Sequence, residues 1–381
     1  MVAARPIAQR IARLVPLPEA IHRIDQCVTA VAPRQAAPAG AVGRALASDR
    51  IVAAEALPAR ALALRDGWAV RSEAILDAGS YAPAVLTEPP VAVEVGNSLP
   101  ANTDAIIPLD AVEFADAKAS ALHPASPGEG VLPRGADIVG GEAFFHGGRR
   151  ISRLDLAVLM ASGHGDISIR EPRVRVVPAR EGVDTIIDAI GALLCGAIEA
   201  EGGVAIKDAS SSSASVVEMA LRDADADAVM IVGGSGTGDR DHSVETLARL
   251  GRVEFHGVGL TPGETAAFGM ADKRPVLVLP GRLDSALAVW LVLGRHMLAR
   301  LAARDGDGPD PAWPLTLARK ITSTAGLAEV IVGRRDGGRA VPLASGYLSL
   351  QTLAQADGWI FVPPDLEGVP ADAMVLMKPL P

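Results

Sequence analysis

The sequence predicts an α/β multidomain protein. A central doubly wound α/β domain is flanked by a helical/β N-terminal linker domain, a small β-rich domain and a small C-terminal β-barrel. Three observations predict this. Between residues 171 and 305 short β-branched runs alternate with helical patterns, the signature of stacked βαβ units. From Ile51 to about Val131 short β-prone runs sit between Pro, Gly and Asn. Beyond Asp305-Gly-Asp-Gly-Pro-Asp-Pro311, a linker by composition, short strands with turn signals run to the end.

The elements follow in order. Residues 1–50 read as helical, with 41–49 as the clearest amphipathic piece. They form a discontinuous linker domain with residues 133–170. In that second segment a helix is expected from about Ser152 to Ser162, with Ser152 as N-cap and Asp155 in its first turn. The β-rich domain covers 51–132, with strands at Val91–Val95 and Ala105–Ile107. The α/β domain covers 171–305. Its strands are expected at 173–177, 204–206, 228–232, 253–255 and 276–279. Its helices are expected between the first strand and Gly202-Gly203, near 214–224 and 243–250, and from Pro280-Gly281 to about Ala303. Ser210–Ser213 is read as the cap of the helix that follows it. The terminal domain covers 312–381 and ends in strands at Trp359–Val362 and Met374–Met377.

Bulk composition excludes several function classes. With 381 residues the chain is long enough for more than one domain. A net charge of −9 argues against nonspecific binding to nucleic acid or anionic lipid. Aromatics at 3% leave little for a base-stacking surface. Cys27 and Cys195 form neither a disulfide framework nor a metal-spacing motif, so a reducing cytoplasm is the expected compartment. Cys195 is expected in the core. The arginines at the N-terminus interrupt any signal-peptide core. The most apolar stretch, 285–301, is broken by Arg295, His296 and Arg300, so no membrane span is expected. The histidines lack zinc-ligand spacing, and His242 and His256 are read as packed or surface residues. No Gly-x-Ser-x-Gly elbow points to a serine hydrolase.

The most informative stretch is Val229 to Asp241. An apolar strand ends in Gly233, Gly234, Ser235, Gly236, Thr237 and Gly238, and Asp239, Arg240 and Asp241 follow. Glycines let the backbone approach an anionic group closely, and nearby carboxylates can hold a divalent cation beyond it. Such a loop suits a phosphate-bearing ligand at the carboxyl end of a parallel sheet. It is neither a Walker A loop nor the dinucleotide fingerprint. Taken alone, it also fits an ordinary strand-to-helix turn.

Several blocks, in order along nearly the whole chain, resemble the MoeA family of molybdopterin molybdenumtransferases, whose eukaryotic relatives include the E domain of gephyrin. Gly43–Asp49 is similar to the family's "GR-L-A-D", and Arg65-Asp-Gly-Trp-Ala-Val70 to "MDGYAV". Gly96–Pro100 through Ile107 is similar to "G-P-P-GADAVV", and Arg134–Ile138 with Gly141-Glu142 to "R-GEDI--GE". Gly233–Gly238 with Asp241 is similar to "GGVSVG--D". Pro262-Gly263 and Leu279-Pro280-Gly281 match two further loops. Ala344-Ser345-Gly346 and Ala356–Ile360 resemble blocks of the terminal domain.

The resemblance implies an elongated, dimeric, four-domain protein. It would insert molybdate into adenylylated molybdopterin with Mg2+ and release AMP. It implies catalytic roles for Asp208, Asp241, Asp66 and Asp184, to which this sequence adds its own candidate, Arg282. It implies cation ligation by Asp208, Asp241 and Asp184. Ligand contacts would come from the glycine loop, Pro280, Gly281 and Ser345, with Asp137 a further acidic position. Beyond molybdopterin, molybdate and a second copy of the chain, it implies a molybdoenzyme or a cofactor-adenylylating protein as partner.

The sequence departs from the family near the chemistry. "TGDEL" is here Arg180-Glu-Gly-Val-Asp184. "KPGKP" is Thr261-Pro-Gly-Glu-Thr265, which replaces two lysines by Thr261 and Glu264. "PGNP" is Pro280-Gly-Arg-Leu283, where Arg282 adds a cation. Both arginines of the terminal "GR-EF-R" are missing from 326–332. Three readings stay open: an insertase with a rebuilt anion site built on Arg180, Arg240 and Arg282, a paralogue that binds the cofactor without catalysis, and a scaffold.

Overall fold

The computed structural model describes residues 11–116, 118–179, 184–207, 214–238, 241–304 and 311–381. The chain divides into two compact units, one of residues 49–146 and one of residues 1–48 with 147–381.

In the 49–146 unit, Gly67–Val70 runs between Val91–Val93 and Ala105–Ile107, antiparallel to both. A second antiparallel sheet joins Ala84–Val85, Val112–Ala115 and Lys118–Ala121. Between them Val70, Ile75, Ala105, Ile107 and Ala121 form a small core. Gly67 is required there, because a Cβ would stand 2.2 Å from the Ile107 carbonyl oxygen.

In the larger unit the N-terminal segment contributes a helix at Leu17–Cys27 and a sheet of Arg34–Ala36, Ile167–Arg170 and Ala45–Leu46. The expected helix over 41–49 is not there. Gly43 turns the chain at φ +82°, and Ala45–Leu46 pairs with Ile169–Arg170. Strand pairing overrides the helical spacing of the apolar residues. The helix Arg153–Ala161 begins in a reciprocal cap: the Ser152 hydroxyl accepts from Asp155 N, and the Asp155 carboxylate accepts from Ser152 N.

The α/β domain holds β1 (Arg173–Pro178), α1 (Thr185–Ala200), β2 (Val204–Lys207), α2 (Ala214–Arg222) and β3 (Ala228–Val232). It continues with α3 (Ser243–Leu250), β4 (Arg252–His256), β5 (Ala267–Ala271), β6 (Arg274–Leu279) and α4 (Leu283–Val289). The sheet order is β2-β1-β3-β6-β5-β4. The first four strands are parallel, and β5 and β4 complete it antiparallel. Strand β5 was not legible in the sequence.

The uninterrupted apolar run of β3 is explained by burial on both faces. Met230 and Val232 pack with Leu277, Leu279 and the α1 residues Ile187, Ile190 and Leu194. Val229 and Ile231 pack on the opposite face with Val276, Val278 and the α2 and α3 residues Val217, Leu221, Val244 and Leu247. After α4 the helix continues through a π-turn at Trp290–Gly294 into Arg295–Leu301, where the expected long helix ends. Cys195 on α1 is half-buried against the core.

The C-terminal region is a closed five-stranded barrel of β7 (Trp313–Leu317), β8 (Ala328–Asp336), β9 (Arg339–Ala344), β10 (Gly358–Val362) and β11 (Met374–Pro379). The ring runs β8-β9-β7-β11-β10 and closes as β10 pairs back with β8. Leu317, Ile331, Ala340, Ile360, Val362 and Met377 fill its interior. The short strand Leu260–Thr261 of the α/β domain pairs with Ala328–Glu329 and seats the barrel beside the sheet's carboxyl edge. Among the described residues no helix is long and apolar enough to cross a membrane.

Candidate functional site

Neighbouring parallel strands β3 and β6 both end in glycine loops. Gly233 follows β3, and Pro280-Gly281 follows β6. Gly233 N donates to the Leu279 carbonyl at 2.8 Å, which locks the two strand ends together. A Cβ on Gly281 would lie 3.5 Å from Gly233 Cα and 3.3 Å from Ile187 Cδ1. The result is a side-chain-free surface at the carboxyl end of the sheet, beside the first turn of α1. The positive end of that sixteen-residue helix dipole lies at the same place.

Asp184 starts α1. Its Oδ1 accepts from Ile186 N at 2.7 Å and Ile187 N at 3.2 Å, an N-cap that sets the helix against the loops.

The glycine loop has three anchors. Ser243, buried at the start of α3, donates from Oγ to the Gly233 carbonyl at 2.9 Å. Its backbone N donates to the Gly234 carbonyl at 3.2 Å. Gly233 and Gly234 take φ +93° and +67°, and a Cβ on Gly234 would collide with Ser243 Oγ at 2.3 Å. Second, Ser235 Oγ shares a hydrogen bond with Thr265 Oγ1 at 2.9 Å, and His256 Nε2 donates to the Ser235 carbonyl at 2.8 Å. That bond places the His256 proton on Nε2, leaving Nδ1 buried without a partner. Third, Asp241 Oδ2 accepts from Gly238 N at 2.9 Å, and a Cβ at Gly236 or Gly238 would strike that oxygen. Asp241 thus shapes the loop it follows.

Arg282, next to Gly281, forks onto Asp284 through Nε at 3.1 Å and through Nη2. Asp284 is buried, and it also accepts from Ser285 N at 2.7 Å and from the barrel's Leu348 N at 3.1 Å. The Asp284 hydrogen bond holds the Arg282 guanidinium above its ordinary pKa against the opposing effect of partial burial. The negative charge of Asp284 adds to that hydrogen bond's effect. Glu264, where the resemblance has a lysine, contributes the smallest favourable charge to Arg282, whose ion pair is with Asp284. The Glu264 carboxylate accepts from Gly263 N at 3.1 Å. Ser345 is exposed on the barrel loop beside this rim.

Of the residues singled out in the sequence, Asp184, Gly233, Gly281 and Arg282 converge, and Asp241 closes the same loop. Asp208, Arg180 and Arg240 lie outside the described residues, as do Ser210–Ser213 and the linker residues 305–310. Asp66 belongs to the 49–146 unit, where its Oδ1 accepts from Val95 N at 2.8 Å. Ser243, Thr265, Asp284 and Tyr347 escaped the sequence reading, and His256 was read only as a packed or surface residue. Their partners lie between one residue and more than sixty away along the chain, and no motif marks them.

The fold and this loop system define a multidomain protein built around a doubly wound α/β domain with an anion-type glycine cradle. Family models match three successive regions. They are the MoeA N-terminal region (domains I and II) over residues 15–163, the probable molybdopterin binding domain over 179–300 and the MoeA C-terminal region (domain IV) over 314–380. The chain belongs to the MoeA family of molybdenum cofactor biosynthesis proteins. It is 25% identical over 373 residues to molybdopterin molybdenumtransferase 2 of Mycobacterium tuberculosis, covering 87% of this chain and 91% of that one. It is 26% identical over 312 residues to molybdopterin molybdenumtransferase 1 of the same organism, covering 73% and 71%. Its fold matches a crystal structure of the molybdopterin biosynthesis MoeA protein of Pyrococcus horikoshii with a TM-score of 0.77 and 25% identity, over 97% of this chain and 100% of that one.

Proposed function

We propose that this protein inserts molybdate into adenylylated molybdopterin and releases AMP. One observation carries this reading. Two glycine loops meet at the carboxyl end of a parallel sheet, at the N-terminus of α1, with Arg282 on their rim. A pyrophosphate needs close backbone approach and the positive helix end, and the site supplies both. Arg282 supplies a permanent cation beside the place an oxyanion would occupy. Glu264 would repel that oxyanion, and its charge acts only weakly on Arg282, whose guanidinium forks onto Asp284.

Mg2+ belongs to the same proposal. Among the described residues no three acidic, histidine or cysteine side chains cluster. A magnesium ion commonly takes one or two carboxylates and completes its shell with phosphate oxygens and water. Asp241 and Asp208 would hold it, with Asp184 at the mouth of α1. When bound, it would neutralise phosphate charge. A homodimer in the cytoplasm is proposed on the family resemblance and on two free cysteines.

A second reading, a cofactor-binding relative without insertion, is favoured by Glu264 standing where a lysine would serve an oxyanion. Arg282→Ala and Glu264→Lys decide between them in an AMP-release assay. Insertion predicts that Arg282→Ala loses activity and Glu264→Lys keeps or raises it. A carrier predicts no molybdate-dependent release from either variant or the parent.

A further inference from the structure

We infer that Tyr347, backed by Arg282, is a stacking shelf for the planar heteroaromatic ring of the phosphate-bearing ligand. The inference rests on the reading of Gly233 and Gly281 as the phosphate cradle.

Tyr347 follows β9 in the barrel. The Arg282 guanidinium sits 4.9 Å from its ring centroid, so one face is covered by a cation. The residue is nevertheless 64% exposed, which leaves the rest of the ring open to solvent. Two buried carboxylates fix its backbone on either side. Asp284 of the α/β domain accepts from Leu348 N at 3.1 Å, and Glu329 of β8 accepts from Gly346 N at 3.0 Å. The turn is closed by Tyr347 N donating to the Ser345 carbonyl at 2.8 Å. A ring held this firmly loses little conformational freedom when a second ring lies on it.

Its place connects it to the cradle. Arg282 is the residue after Gly281, and Gly281 lies against Gly233. The order along the rim is therefore glycine surface, guanidinium, phenol ring. A ligand with phosphates at one end and a flat ring at the other matches that order. Arg282, forked onto Asp284, acts here as a fixed plane that holds the phenol ring. Stacking accepts any flat heteroaromatic ring, so a pterin and an adenine share the required chemistry.

Calorimetric titration of the full-length protein with ribose 5-phosphate, AMP and neopterin phosphate tests this. Ribose 5-phosphate reports the cradle alone, and the other two report which ring is used. The expected result is that at least one ring-bearing compound binds about tenfold more tightly than ribose 5-phosphate. Tyr347→Ala should abolish that advantage and leave ribose 5-phosphate affinity unchanged, while Tyr347→Phe retains it. Equal loss for all three compounds in Tyr347→Ala would overturn the shelf. So would ribose 5-phosphate binding with no gain from either ring, which leaves the cradle standing. Absence of binding by all three would overturn shelf and cradle together.

Discussion

Asp284 and Leu348 join two domains through one hydrogen bond: a buried carboxylate at the start of α4 accepts at 3.1 Å from a backbone N–H of the barrel loop. The same carboxylate holds Arg282 and Ser285 N. Its position decides where the barrel presents Tyr347 and how Arg282 points at the rim.

Asp284→Ala should therefore cost stability as well as function. It strands a buried N–H and frees a guanidinium. Hydrogen bonds to charged groups are worth about 1.5–3 kcal/mol each, and Arg282 is half-exposed, so a loss of about 2–3 kcal/mol is expected. Urea unfolding followed by fluorescence should show an earlier transition. An unchanged midpoint would mean that the interdomain bond contributes nothing.

Gly233→Ala should separate cradle from scaffold. Its φ of +93° penalises a Cβ by about 1–2 kcal/mol, and the new methyl would stand 3.2 Å from Ile187 Cδ1. The protein should remain folded by circular dichroism, and its affinity for a phosphate-bearing ligand should fall at least tenfold. Wild-type affinity in a folded variant would move the phosphate site elsewhere.

His256→Ala should loosen the glycine loop without touching ligand chemistry. It removes the donor to the Ser235 carbonyl from the antiparallel half of the sheet. Hydrogen exchange of residues 233–238 should quicken several-fold while α1 and β3 keep their protection. His256→Gln, which can still donate, should restore most of it. Uniform exchange in both variants would show that Ser243 and Thr265 suffice.

Glu201, at the end of α1, offers a pH test. Burial pushes its carboxyl up, but Arg295 and Arg304 together outweigh burial and hold it below the ordinary range. A depressed folded pKa stabilises the protein above the unfolded value, about 4.3, and that contribution fades as pH falls through the folded value. Glu201→Gln should lower Tm at pH 7, and the gap to wild type should close in acid below about pH 4. A gap that persists unchanged in acid would assign the loss to packing.

What the sequence made legible follows from what determines each feature. The run Ala228–Val232 reads as a strand because both its faces are buried, so no polar residue interrupts it. The glycines read as a cradle because φ +93° at Gly233 disfavours any side chain and a Cβ at Gly234 would collide with Ser243 Oγ. Residues 41–49 misled because apolar spacing is local, whereas their pairing with Ile169 and Arg170 is set more than a hundred residues away. Strand β5, Ala-Phe-Gly-Met-Ala, carries no β-branched residue and is defined by its hairpin with β6. Thr265 and Tyr347 contribute contacts that exist only once sheet and barrel are assembled, and nothing in their neighbours' identities announces them.

The proposed insertion of molybdate at the Gly233–Gly281 cradle is tested most directly by AMP release from adenylylated molybdopterin by the purified protein with Mg2+. Release should depend on molybdate and be lost in Gly233→Ala. Tight retention of the pterin with no AMP release, with or without molybdate, would contradict insertion and identify a cofactor-binding relative.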